Sequence, residues 1–252
     1  MILFFSGCGN SRFVAEQLAS LTGDSLCQIN PAETEPSVSL SDGEALGIVC
    51  PVYAWAVPRL VRDYIVRLSA KCKPSYCYLA CTCGDNVGRT PEKLEKTMCS
   101  KGWHLDAAFS FVMPETYINL PGFSLDTREK ENGKIAAVRQ RLPYVAERIK
   151  QRAKVIDVVR GKMPRFNTFV MNALFYGAVI TDRKFRVTDD CISCGLCEKV
   201  CPLHNVKLVD GHPKWFGNCT NCMACYHHCP KNAIHFGKAT IGKGQYVFPN
   251  KP

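Results

Sequence analysis

The chain has 252 residues, 46% of them hydrophobic, enough for one large or two modest buried cores. Its formal net charge of +10 comes with no base-stacking or groove-reading motif, so nucleic-acid binding is not expected. Sixteen cysteines with no signal sequence ahead of them argue against a secreted disulfide scaffold and predict a reducing, cytoplasmic, low-oxygen setting.

The first half reads as alternating strands and helices. Residues 2–5 form a short buried strand, and Ser6-Gly7-Cys8-Gly9-Asn10-Ser11 follows. Phe13, Val14, Leu18 and Leu21 then recur at helical spacing. A strand entering a helix through a small polar loop aims backbone N–H groups and the positive helix end at one spot, which stabilises phosphate. The same loop also reads as an ordinary turn in which Asn10 or Ser11 caps the helix. A further strand ends near residues 28–31. Residues 45–52 are the next strand and run into Pro51-Val52-Tyr53-Ala54-Trp55. Pro58 opens a helix with Leu60, Val61, Tyr64, Ile65 and Leu68 on one face. A strand at 75–81 leads into Thr82-Cys83-Gly84-Asp85, a helix follows over 91–100, and a fourth strand covers 105–112. Cys72, Cys77, Cys81 and Cys83 match no standard ligand spacing and read as free thiols rather than a metal site. The alternation predicts an α/β fold with a doubly wound parallel sheet. The three named loops lie at the carboxyl ends of its strands, where such sheets bind ligands.

The loop Ser6 to Ser11 resembles the flavodoxin phosphate loop, usually written T-x-T-G-N-T, and residues 1–160 are similar to a flavodoxin-like domain. The resemblance implies FMN. It puts Ser6, Gly7, Cys8, Gly9, Asn10 and Ser11 around the phosphate, and Pro51, Val52, Tyr53, Ala54 and Trp55 beside the ring, the two aromatics against its face. Thr82, Cys83, Gly84 and Asp85 fall at the ring edge. Cys8 departs from the pattern, since a thiol replaces a hydroxyl and donates more weakly. The bland alternative for Tyr53 and Trp55 is core packing.

Residues 113–119 leave the sheet on the loop side, which would set Tyr117 or Asn119 over a ligand there. Residues 126–159 show one apolar stripe through Ile135, Val138, Leu142, Val145, Ile149 and Ile156, read as a helix that Pro143 kinks or splits. The stretch 126–165 carries 12 basic and 5 acidic side chains, read as a solvated face. Residues 166–180 are apolar and too short to span a bilayer. They read as a buried helix within a connector at 161–185, and membrane association is not expected.

The C-terminal part, 186–252, repeats one cysteine phrase. Cys191, Cys194, Cys197 and Cys201 are spaced C-x2-C-x2-C-x3-C before Pro202, and Cys219, Cys222, Cys225 and Cys229 repeat that spacing before Pro230. The phrase matches bacterial two-cluster ferredoxins. That resemblance implies two [4Fe–4S] clusters in an α+β domain, one held by Cys191, Cys194, Cys197 and Cys229. The other is held by Cys219, Cys222, Cys225 and Cys201. Short strands are expected at 186–188, 206–209 and 234–236. His227 and His228 read as exposed loop residues, not ligands. The whole chain resembles flavodoxin-like domains fused to such a ferredoxin. The expected function is an electron-transfer iron–sulfur flavoprotein that relays electrons between FMN and the clusters and serves a redox partner protein. The alternative is an NAD(P)H-dependent flavin or quinone reductase.

Overall fold

The computed structural model describes residues 1–248, so the last four residues of the expected C-terminal domain lie outside the described residues. The elements run β1 (Ile2–Phe4), α1 (Asn10–Thr22), β2 (Leu26–Gln28), β3 (Ser37–Val38), β4 (Ala45–Pro51), α2 (Arg59–Arg67), β5 (Ser69–Ala70), β6 (Tyr76–Cys83), α3 (Thr90–Cys99), β7 (Ala107–Val112), α4 (Arg128–Lys150) and β8 (Val155–Asp157). A connector follows with α5 (Pro164–Phe166), a π-helical turn (Asn167–Met171) and α6 (Asn172–Ala178). The C-terminal part holds β9 (Phe185–Val187), α7 (Leu196–Lys199), β10 (Val206–Val209), β11 (His212–Trp215), α8 (Ala224–His227) and β12 (Ile234–Phe236).

Six strands make one parallel sheet in the order β2-β1-β4-β6-β7-β8. This is an α/β doubly wound sheet, with the flavodoxin-like strand order extended by an edge strand. All eight residues of β6 are buried, because a central parallel strand is covered on both faces and must be apolar throughout. On one face α2 and α3 bring Leu60, Val61, Ile65, Leu94 and Met98 against Leu3, Ile48 and Leu79. On the other, α1 and α4 bring Phe13, Val14, Leu18, Val138, Leu142 and Ile149 against Ile2, Val49 and Phe109. Each such side chain contributes about 1.5–3 kcal/mol on burial. The chain reverses direction across the sheet between β1 and β4, so the loops after those strands flank the switch point.

The helix expected over 126–159 stops at Lys150. Arg152 turns left-handed (φ 52°) and anchors its guanidinium on Ser75 and Gly43. Ile156 therefore lies on β8, paired with Ala108, not on the helical stripe. Its β-branched neighbours Val155, Val158 and Val159 favour the strand. Pro143 sits inside α4 without splitting it.

The C-terminal part is α+β. Strand β9 pairs with β12, and β10 pairs with β11, all antiparallel. The β10–β11 hairpin turns through Asp210 (φ 52°) and Gly211 (φ 79°), the left-handed pair that a tight hairpin demands. Residues 238–248 then run back onto the N-terminal half. The Lys243 ammonium donates to the Ile118 carbonyl at 2.8 Å, the Tyr246 hydroxyl to Asn10 Oδ1 at 3.0 Å, and the Phe248 N–H to the Cys8 carbonyl at 2.8 Å.

Candidate metal centre

The two cysteine runs fold alike. Cys219 follows Cys191 by 28 residues, and the backbone repeats at that offset. Ser193, Gly195 and His204 are left-handed, and so are Asn221, Met223 and Asn232. The one-turn helices α7 and α8 obey the same offset. The folded runs interlock. One hollow is lined by Cys191, Cys194, Cys197 and Cys229, the other by Cys201, Cys219, Cys222 and Cys225. Leu208, Pro213 and Ile234 close the first with apolar surface, as Phe185, Val206 and Trp215 close the second.

Four thiolates converging on a small apolar hollow are the donor set of an iron–sulfur cube, so two such clusters fit the residues present. Backbone donors aim at the sulfurs. The Asn205 N–H reaches Cys201 Sγ at 3.2 Å and the Ala233 N–H reaches Cys229 Sγ at 3.3 Å, again 28 residues apart. The Asn221 N–H reaches Cys219 Sγ at 3.3 Å. Hydrogen bonds of this kind stabilise charge on sulfur and tune the potential of a bound cluster.

The second hollow abuts the carboxyl edge of the sheet. Cys222 lies over the Ser6 to Ser11 loop: Cys8 Sγ points at the Cys222 carbonyl (3.7 Å), and a Cβ on Gly7 would sit 3.2 Å from the same oxygen. Burial, with Cys222 beside it, pushes the Cys8 thiol well up. Tyr53 lies between this loop and Cys222, its hydroxyl 3.7 Å from where a Gly7 Cβ would be. His227, expected in an exposed loop, is buried: it donates from Nε2 to the Thr116 carbonyl at 2.8 Å and accepts the Tyr246 N–H on Nδ1 at 3.2 Å. Burial holds its imidazole down to about 4, hence neutral.

The sheet edge meets a flavin unevenly. Among the described residues, the N–H groups of Gly7, Cys8, Asn10 and Ser11 find no acceptor, while the Gly9 N–H bonds Ser6 Oγ at 3.1 Å. That loop fits a phosphate. The ring end is filled by the chain itself. Trp55 Nε1 donates to Asn86 Oδ1 at 2.9 Å and so joins the two loops between which a ring would lie. Ala54 (φ 47°) and Trp55 (φ 60°) are both left-handed, a strained pair held by Asn172 Nδ2 on the Ala54 carbonyl (2.8 Å) and Thr168 Oγ1 on the Trp55 carbonyl (3.2 Å). The Glu115 carboxylate presses on Gly84, where a Cβ would collide with it. The Tyr117 ring packs at a tilt against Phe175, centroids 5.5 Å apart. Thr82 is spent on a 2.7 Å bond to Ser11. The loop thus suits the phosphate end of FMN, while the chain's own residues occupy the ring end.

Residues 190–234 match the family described as the 4Fe-4S dicluster domain, and this part of the chain is such a ferredoxin-like domain. Similar curated proteins are the "Ferredoxin-like protein in nif region" of Trichormus variabilis and of Trichormus azollae, each 37% identical over 49 residues. The counterpart in Nostoc sp. is 35% identical over the same length. These alignments span 19% of this chain and 42% of each relative. A solved structure of a provisionally assigned flavoprotein from Bacteroides uniformis superposes with a TM-score of 0.37 at 14% identity, covering 54% of this chain and 96% of that one. A superposition of that quality settles no ligand.

Three functional features were not read from the sequence. The C-terminal tail that clamps Asn10 and Cys8 carries no motif. The connector's polar contacts to Ala54 and Trp55 depend on tertiary placement. The 28-residue repeat of left-handed positions has a visible trace in Gly195, but Met223 replaces that glycine in the second run.

Proposed function

We propose that the chain is an iron–sulfur electron-transfer protein with two [4Fe–4S] clusters, in which an outer site exchanges electrons with a redox partner protein and an inner site is seated on the edge of the α/β sheet. The interlocked cysteine tetrads carry this reading. Bound cubes would supply one-electron chemistry at each hollow. The chain's own residues position the thiols, donate N–H groups to three of the sulfurs and exclude water from the inner hollow with Phe185, Val206 and Trp215. Among the described residues no helix is long and apolar enough to cross a membrane.

A flavin relay is the second reading, favoured by one observation: among the described residues, four loop N–H groups stand without acceptors. An NAD(P)H-dependent reductase would in addition need an open face at Tyr53 and Trp55, where Thr168 and Asn172 tie the connector to the loop backbone. Protein purified without oxygen tests both. About eight irons and about eight sulfides per chain, with two one-electron steps in an anaerobic reductive titration, are expected. Zinc in place of iron would overturn the cluster reading. Tightly held flavin near one per chain, bleached by NADH, would move the assignment to the reductase.

A further inference from the structure

The connector helix carries its polar side inward. Thr168 Oγ1 accepts the Arg89 N–H at 2.8 Å and donates to the Trp55 carbonyl, while Asn172 bonds the Ala54 carbonyl and takes the Lys93 ammonium on Oδ1. Its outward side is apolar. Met163 is 65% exposed, Phe166 45%, Phe169 55%, Val170 44% and Leu174 58%. Their spacing of three and four makes one stripe, and a surface helix ordinarily turns such a stripe to the core. The buried helix expected from the sequence is thus anchored by its two polar residues, and its apolar stripe faces solvent. The π-helical turn Asn167–Met171 lies in the middle of the stripe.

Charge points to the occupant. Residues 158–181 contain no Asp or Glu; Arg160 and Lys162 precede the stripe, Arg165 lies within its first turn, and Arg183 and Lys184 follow it. Beside it the Arg59 guanidinium lies 4.0 Å over the Tyr176 ring. Burial and the neighbouring Arg62 and Arg59 hold the Lys93 ammonium below the usual lysine range. The acids facing this side are already paired, Asp63 with Arg62 and Glu92 with Arg89 and Arg160. An acidic protein face would have to desolvate its carboxylates against five apolar side chains. A lipid surface meets both features at once, with acyl chains taking Phe and Leu and anionic headgroups taking the flanking cations.

We propose that residues 164–178 form an interfacial helix that docks the protein on an anionic lipid surface. The helix lies along that surface and does not cross it. Its far end is tied to the inner cysteine run, where Asn221 Nδ2 donates to the Val179 carbonyl at 3.5 Å, so docking holds the inner hollow on the lipid side of the molecule.

Sedimentation of the anaerobic holoprotein with vesicles tests this. Vesicles of phosphatidylcholine containing about one-third phosphatidylglycerol should carry the protein down, and pure phosphatidylcholine should carry down much less. Phe169→Glu with Leu174→Glu should weaken binding at least about tenfold without changing the cluster absorbance, since both side chains are exposed. Lys162→Gln with Arg165→Gln should weaken it by about tenfold or more and reduce its salt dependence. Wild-type protein that stays in the supernatant with both vesicle types overturns the proposal. A dimer that dissociates on Phe169→Glu and Leu174→Glu overturns it too, because a second copy is then the occupant.

Discussion

The two cysteine runs share their spacing, their left-handed backbone positions and their one-turn helices, yet equivalent positions live in different surroundings. Ile192 is 56% exposed, and its counterpart Thr220 is 8% exposed. Ser193 is exposed where Asn221 is buried, and Gly195 is half-buried where Met223 is almost fully so. The outer run faces solvent, and the inner run faces the Ser6 to Ser11 loop, Tyr53 and the connector. One local motif thus yields two cysteine-lined hollows of different access: the outer open to solvent, the inner wedged between the halves of the molecule. Met223 accepts a backbone that suits glycine because its side chain fills the core between the cysteine loops.

Removing one thiol from each run is the strongest way to break this pairing. Cys194→Ser and Cys222→Ser should each lower the iron content from about eight to about four per chain. Only Cys222→Ser should also lower the melting temperature of the sheet, because loss of the inner cluster would free the Cys222 backbone carbonyl on which the Cys8 thiol rests. Iron analysis together with calorimetry checks both halves of that expectation. If both variants melt alike, the two sites are equally independent of the sheet. A weaker effect concerns access. Brief exposure to air should strip the outer site first, leaving about four irons and making Cys194, which is exposed, the first thiol of the two runs to be alkylated. Peptide mapping after alkylation reports the order, and equal labelling of Cys222 would erase the distinction.

The sequence made the periodic parts legible and left the contacts between them hidden. The sheet could be read because β4 and β6 are continuous apolar runs. The cysteine phrase could be read because ligand spacing is local. Three expectations depended on what lay across the molecule. Ile156 fitted a helical stripe and sits on an edge strand, since Arg152 turns the chain first. His227 looked like a loop residue and is buried, since Thr116 and the tail supply both its partners. The apolar run 166–180 looked like a core helix, but Thr168 and Asn172 are the side chains the fold buries. The phosphate loop marks the most instructive gap. Its residues match a flavin pattern, whereas Glu115, Thr168 and Cys222, remote in sequence, decide what space is left above it.

The seam between the inner run and the sheet can be pried directly at Gly9. Its φ of 97° lies in the region that glycine tolerates best, and a Cβ there would strike the Phe248 carbonyl. Gly9→Ala should therefore cost about 1–3 kcal/mol and lower the melting temperature by roughly 2–10 °C, with the tail displaced. Hydrogen exchange at Tyr246 and Phe248 should rise with it, because their N–H groups bond His227 and Cys8. Unchanged protection there would mean that the tail does not clamp the loop.

The mildest effect is a pH dependence at Glu115, on the sheet side of the same edge. Burial holds its carboxyl above the usual carboxylate range, although its Oε1 accepts the Thr116 and Tyr117 N–H groups at 2.9 and 2.8 Å. A carboxyl raised in this way keeps its proton longer in the folded state than in the unfolded one. Its contribution to stability is therefore fully present below the unfolded value and declines as pH rises through the folded one. Asp126 works the other way. Lys130 and Lys134 hold it low against the cost of burial, so its contribution is lost as pH falls. Glu115→Gln should remove only the first slope: stability near neutral pH should rise slightly and the decline from acid to neutral pH should flatten, while the loss in stronger acid from Asp126 persists. Melting temperatures of the two proteins across that range decide it. Parallel curves would show that Glu115 ionises as freely in the folded chain as in the unfolded one, and that the space above Gly84 is more open than its contacts imply.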